Sequence, residues 1–253
     1  MVTDVLIILF FYLVNVTSYP LNNTAPYKLV RVSTNNGNVV GKEVNGIKYF
    51  LGIPFAEPPV GKFRFRPSVP KRPWFPATYR AFNFSSECLQ SSLQSPDGGH
   101  RDEDCLYLNI WQPSRVPKGV LLPVLLWVYG GGFLHGAASR PYYWGDKLAQ
   151  QDVIVVSFNY RVGALGFLVS TSDGLFGNYG LHDQKLAMEW VQDNIRHFQG
   201  DPNRVTLFGE SAGAMSVGLH FLEQQHYQQK AQNKQRKKLF HRVIMQSNPL
   251  GYK

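Results

Sequence analysis

The stretch "VTLFGESAG", residues 205–213, places a serine between two glycines directly after an apolar run. The run predicts a short strand, and "SAGAMSVGLHFL", from Ser211 onward, predicts a helix. Gly209 and Gly213 stand where a β-carbon would collide with that strand and helix as the backbone turns. The stretch therefore predicts a strand-to-helix elbow that displays Ser211 as a nucleophile. Plain turn glycines and a nucleotide-binding loop are the alternatives, but the sequence has no GxGxxG pattern.

A second glycine-rich stretch, "YGGGF" at residues 129–133, follows the apolar run "LPVLLWV". Bare glycine amides at such a place can approach a substrate oxygen and stabilise the oxyanion that forms after attack by a serine. Two separated motifs therefore indicate the same chemistry, which is nucleophilic attack on an acyl carbon.

Continuous apolar runs surround these two motifs. "LYLNIW" and "VIVVSFNY" are typical of strands that are covered on both faces, and "HRVIMQS" at 241–247 predicts a further strand. Between Gly180 and Gly200 apolar residues recur at three and four positions, which predicts an amphipathic helix that Pro202 ends. The sequence thus predicts an α/β domain with a central, mostly parallel sheet.

The N-terminal region differs from the rest of the chain in its composition and sequence pattern. "VLIILFFYLV" at residues 5–14 is apolar but too short to span a bilayer, so residues 1–18 are interpreted as a secretory signal peptide. A buried N-terminal helix or strand is the alternative. Residues 19–253 would then form one domain, which opens with an antiparallel hairpin around Asn35, Asn36 and Gly37.

Two further features agree with a secreted, extracellular protein. The only cysteines are Cys88 and Cys105, which predict a single disulfide that closes a short loop. Asn22 and Asn83 lie in Asn-x-Ser/Thr sequences and are predicted glycosylation sites. Two cysteines with one nearby histidine supply too few donors for zinc, so no metal site is expected.

The formal charge of +9 is concentrated at one end of the chain. Residues 224–253 hold seven Lys or Arg and no Asp or Glu, so the remaining 19 basic and 17 acidic residues give +2. The stretch "QQHYQQKAQNKQRKK" at 224–238 lacks a folding period and predicts a solvated loop. Without interleaved aromatic residues or an amphipathic face, it favours neither nucleic acid nor a membrane as partner.

Several blocks of the chain, in order, resemble the type-B carboxylesterases, the cholinesterase-like branch of the α/β-hydrolases. The resemblance runs from about Val30 to Gly251. The blocks are "FLGIPFAEPPVGKFRF", "EDCLYLNIW", "WVYGGGF", "NYRVGALGFL", "GNYGLHDQ", "NIRHFQGDPNRVTLFGESAGAMSV" and "LFHRVIMQS". It implies an α/β-hydrolase fold and a serine mechanism that requires no cofactor.

Roles for individual residues follow from the same resemblance. Ser211 matches the acylated nucleophile, and the backbone N–H groups of Gly131, Gly132 and Ala212 match the oxyanion hole. Glu210 matches an acidic residue that faces the site from behind the elbow; a solvated or salt-bridged carboxylate is the alternative.

The resemblance also implies structural pairs. They are the ion pairs Arg64–Glu103 and Arg161–Asp183 and the disulfide Cys88–Cys105. The loop that this disulfide would close contains no aromatic residue, whereas cholinesterases hold quaternary ammonium there on a tryptophan, so choline esters are not the expected substrate. Gln199 stands where the family usually has glycine.

The base and the acid of a catalytic triad are not evident. α/β-Hydrolases place them after the serine, in the order Ser, Asp/Glu, His, but the 42 residues after Ser211 hold no Asp and one Glu. His135, beside the glycine loop, remains open as a stand-in base. The sequence therefore resembles the first half of the family domain, with the C-terminal half absent, and is expected to be inactive alone.

Two functions follow as expectations. The first is a secreted hydrolase that cleaves a small-molecule carboxylic ester through an acyl-enzyme on Ser211. The second is a non-catalytic, cholinesterase-like adhesion or binding protein, which the missing base leaves open. Neither the ester nor the oligomeric state can be predicted from the sequence.

Overall fold

The chain forms one long mixed sheet with helices beside it, which a computed structural model describes over residues 26–91, 99–230 and 237–248. The described strands are β1 (Lys28–Thr34), β2 (Gly37–Val44), β3 (Ile47–Pro54), β4 (Thr78–Arg80), β5 (Glu87–Cys88), β6 (Arg101–Asp102), β7 (Tyr107–Pro113), β8 (Leu122–Val128), β9 (Ile154–Phe158), β10 (Val169–Ser170), β11 (Leu175–Phe176), β12 (Gly200–Glu210) and β13 (Arg242–Gln246). The main sheet has the order β1-β2-β3-β7-β9-β8-β12-β13, and β4 pairs with β2.

The first strands of this sheet are antiparallel. β1 and β2 form the predicted hairpin, in which Thr34 lies opposite Gly37. The antiparallel part extends past the hairpin, because β3 pairs with β7 and β7 pairs with β9 in the same sense.

The other half of the sheet is parallel. β9, β8, β12 and β13 all run in one direction, and Val128 at the end of β8 lies opposite Gly209 near the end of β12. Val124, Leu126 and Val128 are fully buried, as the continuous apolar run predicted. Because adjacent parallel strands end at the same edge, the segments that follow β8 and β12 meet there.

The helices are α1 (Asp146–Ala149), α2 (Gly163–Phe167), α3 (Tyr179–Asn194) and α4 (Ala212–Lys230). α3 buries Leu186, Trp190 and Val191 in the core, which confirms the predicted apolar face. The prediction that Pro202 ends this helix is wrong. A 3₁₀ turn follows α3, and Gln199, at φ 59°, reverses the chain before Pro202, which lies in β12.

The prediction of a solvated loop at 224–238 is also partly wrong, because α4 includes the first part of this range and ends at Lys230. Gln and Lys are good helix formers, so a helix nucleated at the elbow can extend into a polar stretch. Gln224 fastens this part of α4 to the chain before β13. Its Nε2 donates to Phe240 O (3.1 Å), and its Oε1 accepts from Leu239 N (3.0 Å).

Over the described ranges, no helix is both long enough and apolar enough to cross a bilayer.

Candidate active site

Ser211 lies on the predicted elbow, between the last residue of β12 and the first residue of α4. Its φ angle is +54°, a left-handed conformation that non-glycine residues adopt at a cost. Two backbone hydrogen bonds hold it there. Ser211 N donates to Gln246 O (2.9 Å), and Ser211 O accepts from Met215 N (2.9 Å). Ser211 is half-buried and lies at the carboxyl edge of the sheet.

The glycines that flank the elbow are required by close approach. A β-carbon on Gly213 would lie 2.1 Å from Val128 O, and one on Gly209 would lie 2.6 Å from Gly213 C. Such contacts are far shorter than van der Waals separation, so a side chain at either position would push α4 away from β8 and β12. The steric explanation given for the sequence spacing therefore holds in the structure.

The loop that follows β8, residues 129–136 and called the glycine loop below, lies directly against the serine. A β-carbon on Gly130 would be 3.1 Å from the Ser211 β-carbon and 2.6 Å from Glu210 O. Gly131 adopts φ 113°, and Gly132, at φ 61°, faces open space. The two predicted motifs are thus brought together at one edge, and the open side of Gly132 leaves room for a ligand.

The N–H groups predicted to bind an oxyanion have no backbone acceptor of their own. Among the described residues, neither Gly131 nor Gly132 donates to another carbonyl. Ala212 is the first residue of α4, where helix geometry leaves N–H groups without an intrahelical partner. Such free donors, next to a serine, suit a negatively charged oxygen.

Two stacked tyrosines support the start of the glycine loop. The rings of Tyr129 and Tyr160 lie 4.3 Å apart and are nearly parallel. Tyr129 OH donates to Tyr160 O (2.9 Å), and Tyr160 OH donates to Tyr129 O (2.8 Å). Burial raises the pKa of both phenols, so they stay protonated and keep donating. This reciprocal pair fixes the backbone immediately before Gly130.

Glu210 lies half-buried beside the glycine loop, next to Ser211. A β-carbon on Gly130 would be 3.1 Å from Glu210 Oε2, so the carboxylate reaches the loop. The pKa of the Tyr143 phenol is raised, mainly by burial and then by electrostatic interaction with the neighbouring Tyr142 and Glu210. The structure thus places the carboxylate of Glu210 beside the elbow.

None of the seven histidines, all of which the structure describes, is hydrogen-bonded to Ser211. His220 is buried, with Nε2 2.8 Å from Gln184 Oε1, and burial lowers its pKa. His135 lies within the glycine loop and donates its N–H to Gly131 O (3.2 Å). Hydrogen bonding to Ser211 therefore identifies none of these histidines as the base.

Across residues 26–91, 99–230 and 237–248, no three side chains from His, Cys, Asp and Glu gather closely enough to hold an ion.

Comparison with known proteins decides the family. The model of the carboxylesterase family matches residues 28–251 of this chain. The chain belongs to the carboxylesterase family. Fumonisin B1 esterase of Sphingopyxis macrogoltabida is 49% identical over 217 residues, which are 82% of this chain and 39% of that protein. Acetylcholinesterase of Bungarus fasciatus is 46% identical over 234 residues, which are 86% of this chain and 36% of that protein.

Solved structures of esterases agree with this assignment. A thermophilic PNB esterase superimposes with a TM-score of 0.75 at 40% identity, covering 85% of this chain and 43% of that one. The fold is therefore the expected α/β-hydrolase fold. The chain spans less than half the length of these carboxylesterase relatives.

The pairs implied by the carboxylesterase resemblance are present. Cys88 and Cys105 form the disulfide. Each ion pair joins two segments that are distant in sequence: Arg64 contacts both carboxylate oxygens of Glu103 at 2.6 Å, and Arg161 donates to Asp183 at 2.7 and 2.8 Å. The second pair is buried, so it fixes the chain after β9 to α3.

Gln199, the departure from the carboxylesterase pattern, keeps the left-handed conformation that glycine adopts easily. Its Oε1 accepts a hydrogen bond from Gln112 Nε2 (2.7 Å), and its backbone oxygen accepts one from Leu122 N (2.8 Å). These two bonds explain how a larger residue is held at this position.

Sequence reasoning missed two amide side chains near the site, Gln90 and Asn159. Gln90 contacts Gly136, at the far end of the glycine loop, and Asn159 contacts Ala138 just beyond it. The only sequence signal was the position of Gln90 two residues after Cys88, which does not reveal the backbone that it meets.

The predicted glycosylation sites and the predicted signal peptide both concern secretion. Asn83 is exposed, as a glycosylation site must be. Asn22 and the predicted signal peptide, residues 1–18, lie outside the described residues.

Proposed function

We propose that this chain carries the nucleophile and the oxyanion donors of a carboxylic-ester hydrolase. The observation that supports this most strongly is the position of Ser211, held at φ +54° beside the backbone of Gly130. The proposed oxyanion donors are supported by Gly131 and Gly132, whose N–H groups donate to no backbone carbonyl among the described residues, and by Ala212, which is the first residue of α4. In a metal-free serine mechanism these two parts are what acyl transfer requires, besides a base.

In the proposed reaction, Ser211 Oγ attacks the acyl carbon of the ester while a base takes the hydroxyl proton. The carbonyl oxygen becomes an oxyanion, which accepts hydrogen bonds from the three N–H groups. The C–O bond to the alcohol then breaks, the alcohol leaves with a proton from the protonated base, and the acyl group stays on Ser211. Water attacks this ester in turn and releases the acid. We propose that the carboxylate of Glu210 is the acidic neighbour of this site.

The base and its orienting carboxylate are not assigned to residues of this sequence. None of the seven histidines is hydrogen-bonded to Ser211 in the part of the chain that the structure describes, and the chain spans less than half of its carboxylesterase relatives. We therefore expect the 253-residue chain alone to turn over esters negligibly. We further propose that the protein is secreted, with residues 1–18 removed and with Asn83, and also Asn22, glycosylated.

Labelling with a fluorophosphonate probe tests the function. The protein produced from its complete coding sequence should be labelled at Ser211, as located by mass spectrometry, and Ser211→Ala should abolish labelling. Ser172→Ala, at an exposed serine of a remote 3₁₀ turn, serves as the control and should keep it. A chain that folds but is not labelled at Ser211 would contradict the proposal and favour the non-catalytic, adhesion-type alternative.

A further inference from the structure

The far end of the glycine loop is held by a side chain from residues 86–90, the segment around Cys88 that is called the disulfide segment below. Gln90 Nε2 donates to Gly136 O (2.9 Å), and Gly136 N donates to Gln90 Oε1 (2.8 Å). The same Nε2 also donates to Cys88 O (3.0 Å). Gln90 therefore binds both polar groups of one peptide residue, as a strand partner would, and joins that residue to the backbone next to the disulfide.

Gly136 transmits this attachment to the site, because it packs on the start of the loop. At φ 122° it places its α-carbon against Tyr129 and Gly130; a β-carbon there would lie 2.6 Å from the Tyr129 ring and 2.7 Å from Gly130 O. Gly130 in turn lies against Ser211. A shift of Gly136 would therefore shift the backbone from which the proposed oxyanion donors project.

A second amide completes the attachment, two residues further along. Asn159 Oδ1 accepts from Ala138 N (2.9 Å), and its Nδ2 donates to Ser86 O (3.0 Å) and Cys105 O (3.1 Å). The carbonyl groups of both disulfide cysteines are thus joined to the end of the glycine loop through side-chain amides. Asn159 is buried, whereas Gln90 is only half-buried. Gln90 can therefore be changed with less risk to folding.

We propose that Gln90 is a positioning residue for the oxyanion donors, through its two hydrogen bonds to Gly136; this rests on the proposed function. The disulfide segment then fixes the positions of the N–H groups of Gly131 and Gly132. Oxyanion donors act only if they are pre-aligned, because their contribution is made in the transition state. Loosening the loop should reduce the rate of acylation more than substrate binding.

Gln90→Glu tests this, because it keeps the shape of the side chain but replaces the donor with a carboxylate oxygen that would face two carbonyl groups. Gln151→Glu, at an exposed position after α1, is the matched control. Hydrogen exchange on the folded proteins is the first measurement. In Gln90→Glu, amides of residues 129–137 should exchange at least about tenfold faster, while those of β9 should not change. Unchanged exchange at 129–137 would overturn the attachment, whether or not the protein is an esterase.

Kinetics on the protein from the complete coding sequence is the second measurement. With 4-nitrophenyl acetate, kcat per fluorophosphonate-reactive serine should fall at least about tenfold in Gln90→Glu, with KM within about a factor of two. Counting reactive serines removes the effect of misfolded molecules. Faster exchange with unchanged kcat would show that the hydrogen bonds are structural only and overturn the positioning role. If the unsubstituted protein is not labelled at all, the proposed function fails, and the positioning role with it.

Discussion

The two strands that border β12 pack very differently, although both are parallel to it. In β8, on one side, Val124, Leu126 and Val128 are fully buried. In β13, on the other side, Ile244 and Met245 are 47% and 40% exposed. The glycine loop, the disulfide and their polar attachments all lie on the β8 side.

This difference shows where the described chain stabilises its own site. Strands of a parallel sheet are normally covered on both faces, and β8 meets that condition while β13 does not. Stability and the geometry of the oxyanion donors should therefore depend strongly on the β8 side, and substitutions in β13 should have small effects. Chemical denaturation measures the changes in the free energy of unfolding that this difference predicts.

The junction of β8 with the elbow should be the most sensitive position. Gly213→Val would place a β-carbon 2.1 Å from Val128 O, so α4 must move away from the sheet. We expect the free energy of unfolding to fall by about 4 kcal/mol. Gly46→Ala is the control, because a β-carbon at Gly46 would meet open space; its only cost should be the strain of a side chain at φ 79°, about 1 kcal/mol. A loss at Gly213 no larger than the loss at Gly46 would contradict close packing as the cause.

A matched pair of truncations compares the two strands directly. Leu126→Ala in β8 removes a fully buried side chain and should cost about 3 kcal/mol. Ile244→Ala in β13 removes a side chain that is 47% exposed and should cost less than about 1 kcal/mol. Similar losses at the two positions would contradict the difference between the strands.

The disulfide on the β8 side should contribute next. It joins cysteines 17 residues apart, so it restricts the unfolded chain. The double variant Cys88→Ala, Cys105→Ala should lose about 2 to 3 kcal/mol of unfolding free energy. Adding a reductant should destabilise the unsubstituted chain by a similar amount and leave the double variant unchanged. A reductant effect that persists in the double variant would exclude this explanation.

The smallest predicted effect is pH-dependent and concerns Glu57, in the loop after β3. Burial opposes its ionisation, but hydrogen bonds from the Arg72 N–H and side chain and from Lys71 outweigh burial and lower its pKa to about 2. A carboxyl with a lowered folded pKa stabilises the fold above its unfolded pKa. That stability is lost as the pH falls from about 4.5 to about 2.

Glu57→Gln should remove this contribution. Solvent screens the partly exposed partners, so we expect a loss of about 1 kcal/mol at pH 7 and no difference from the unsubstituted chain near pH 2. Thermal unfolding followed by circular dichroism between pH 2 and pH 7 measures it. A difference that does not shrink as the pH falls would rule out the electrostatic origin.

Much of the site could be predicted from the sequence because its motifs are short. The glycine spacing around Ser211 falls within five consecutive residues, although Gly213 is needed because it approaches Val128 of the neighbouring strand, and the hairpin at Gly37 depends on a turn of two. With only two cysteines, the disulfide had one possible pairing. The extension of α4 to Lys230 was missed, because the contact that fastens Gln224 to the chain before β13 is not visible in a polar stretch.

The sequence by itself determined the elbow, the glycine loop and the family to which the chain belongs, since each is written in short motifs whose chemistry depends on neighbouring residues. Only the tertiary structure decided what holds these parts in place. Gln90 reaches Gly136 across 46 residues, and Tyr129 pairs with Tyr160 across 31. Such contacts depend on the order of the strands in the sheet and on the path of the chain between them, and neither is encoded in a local pattern.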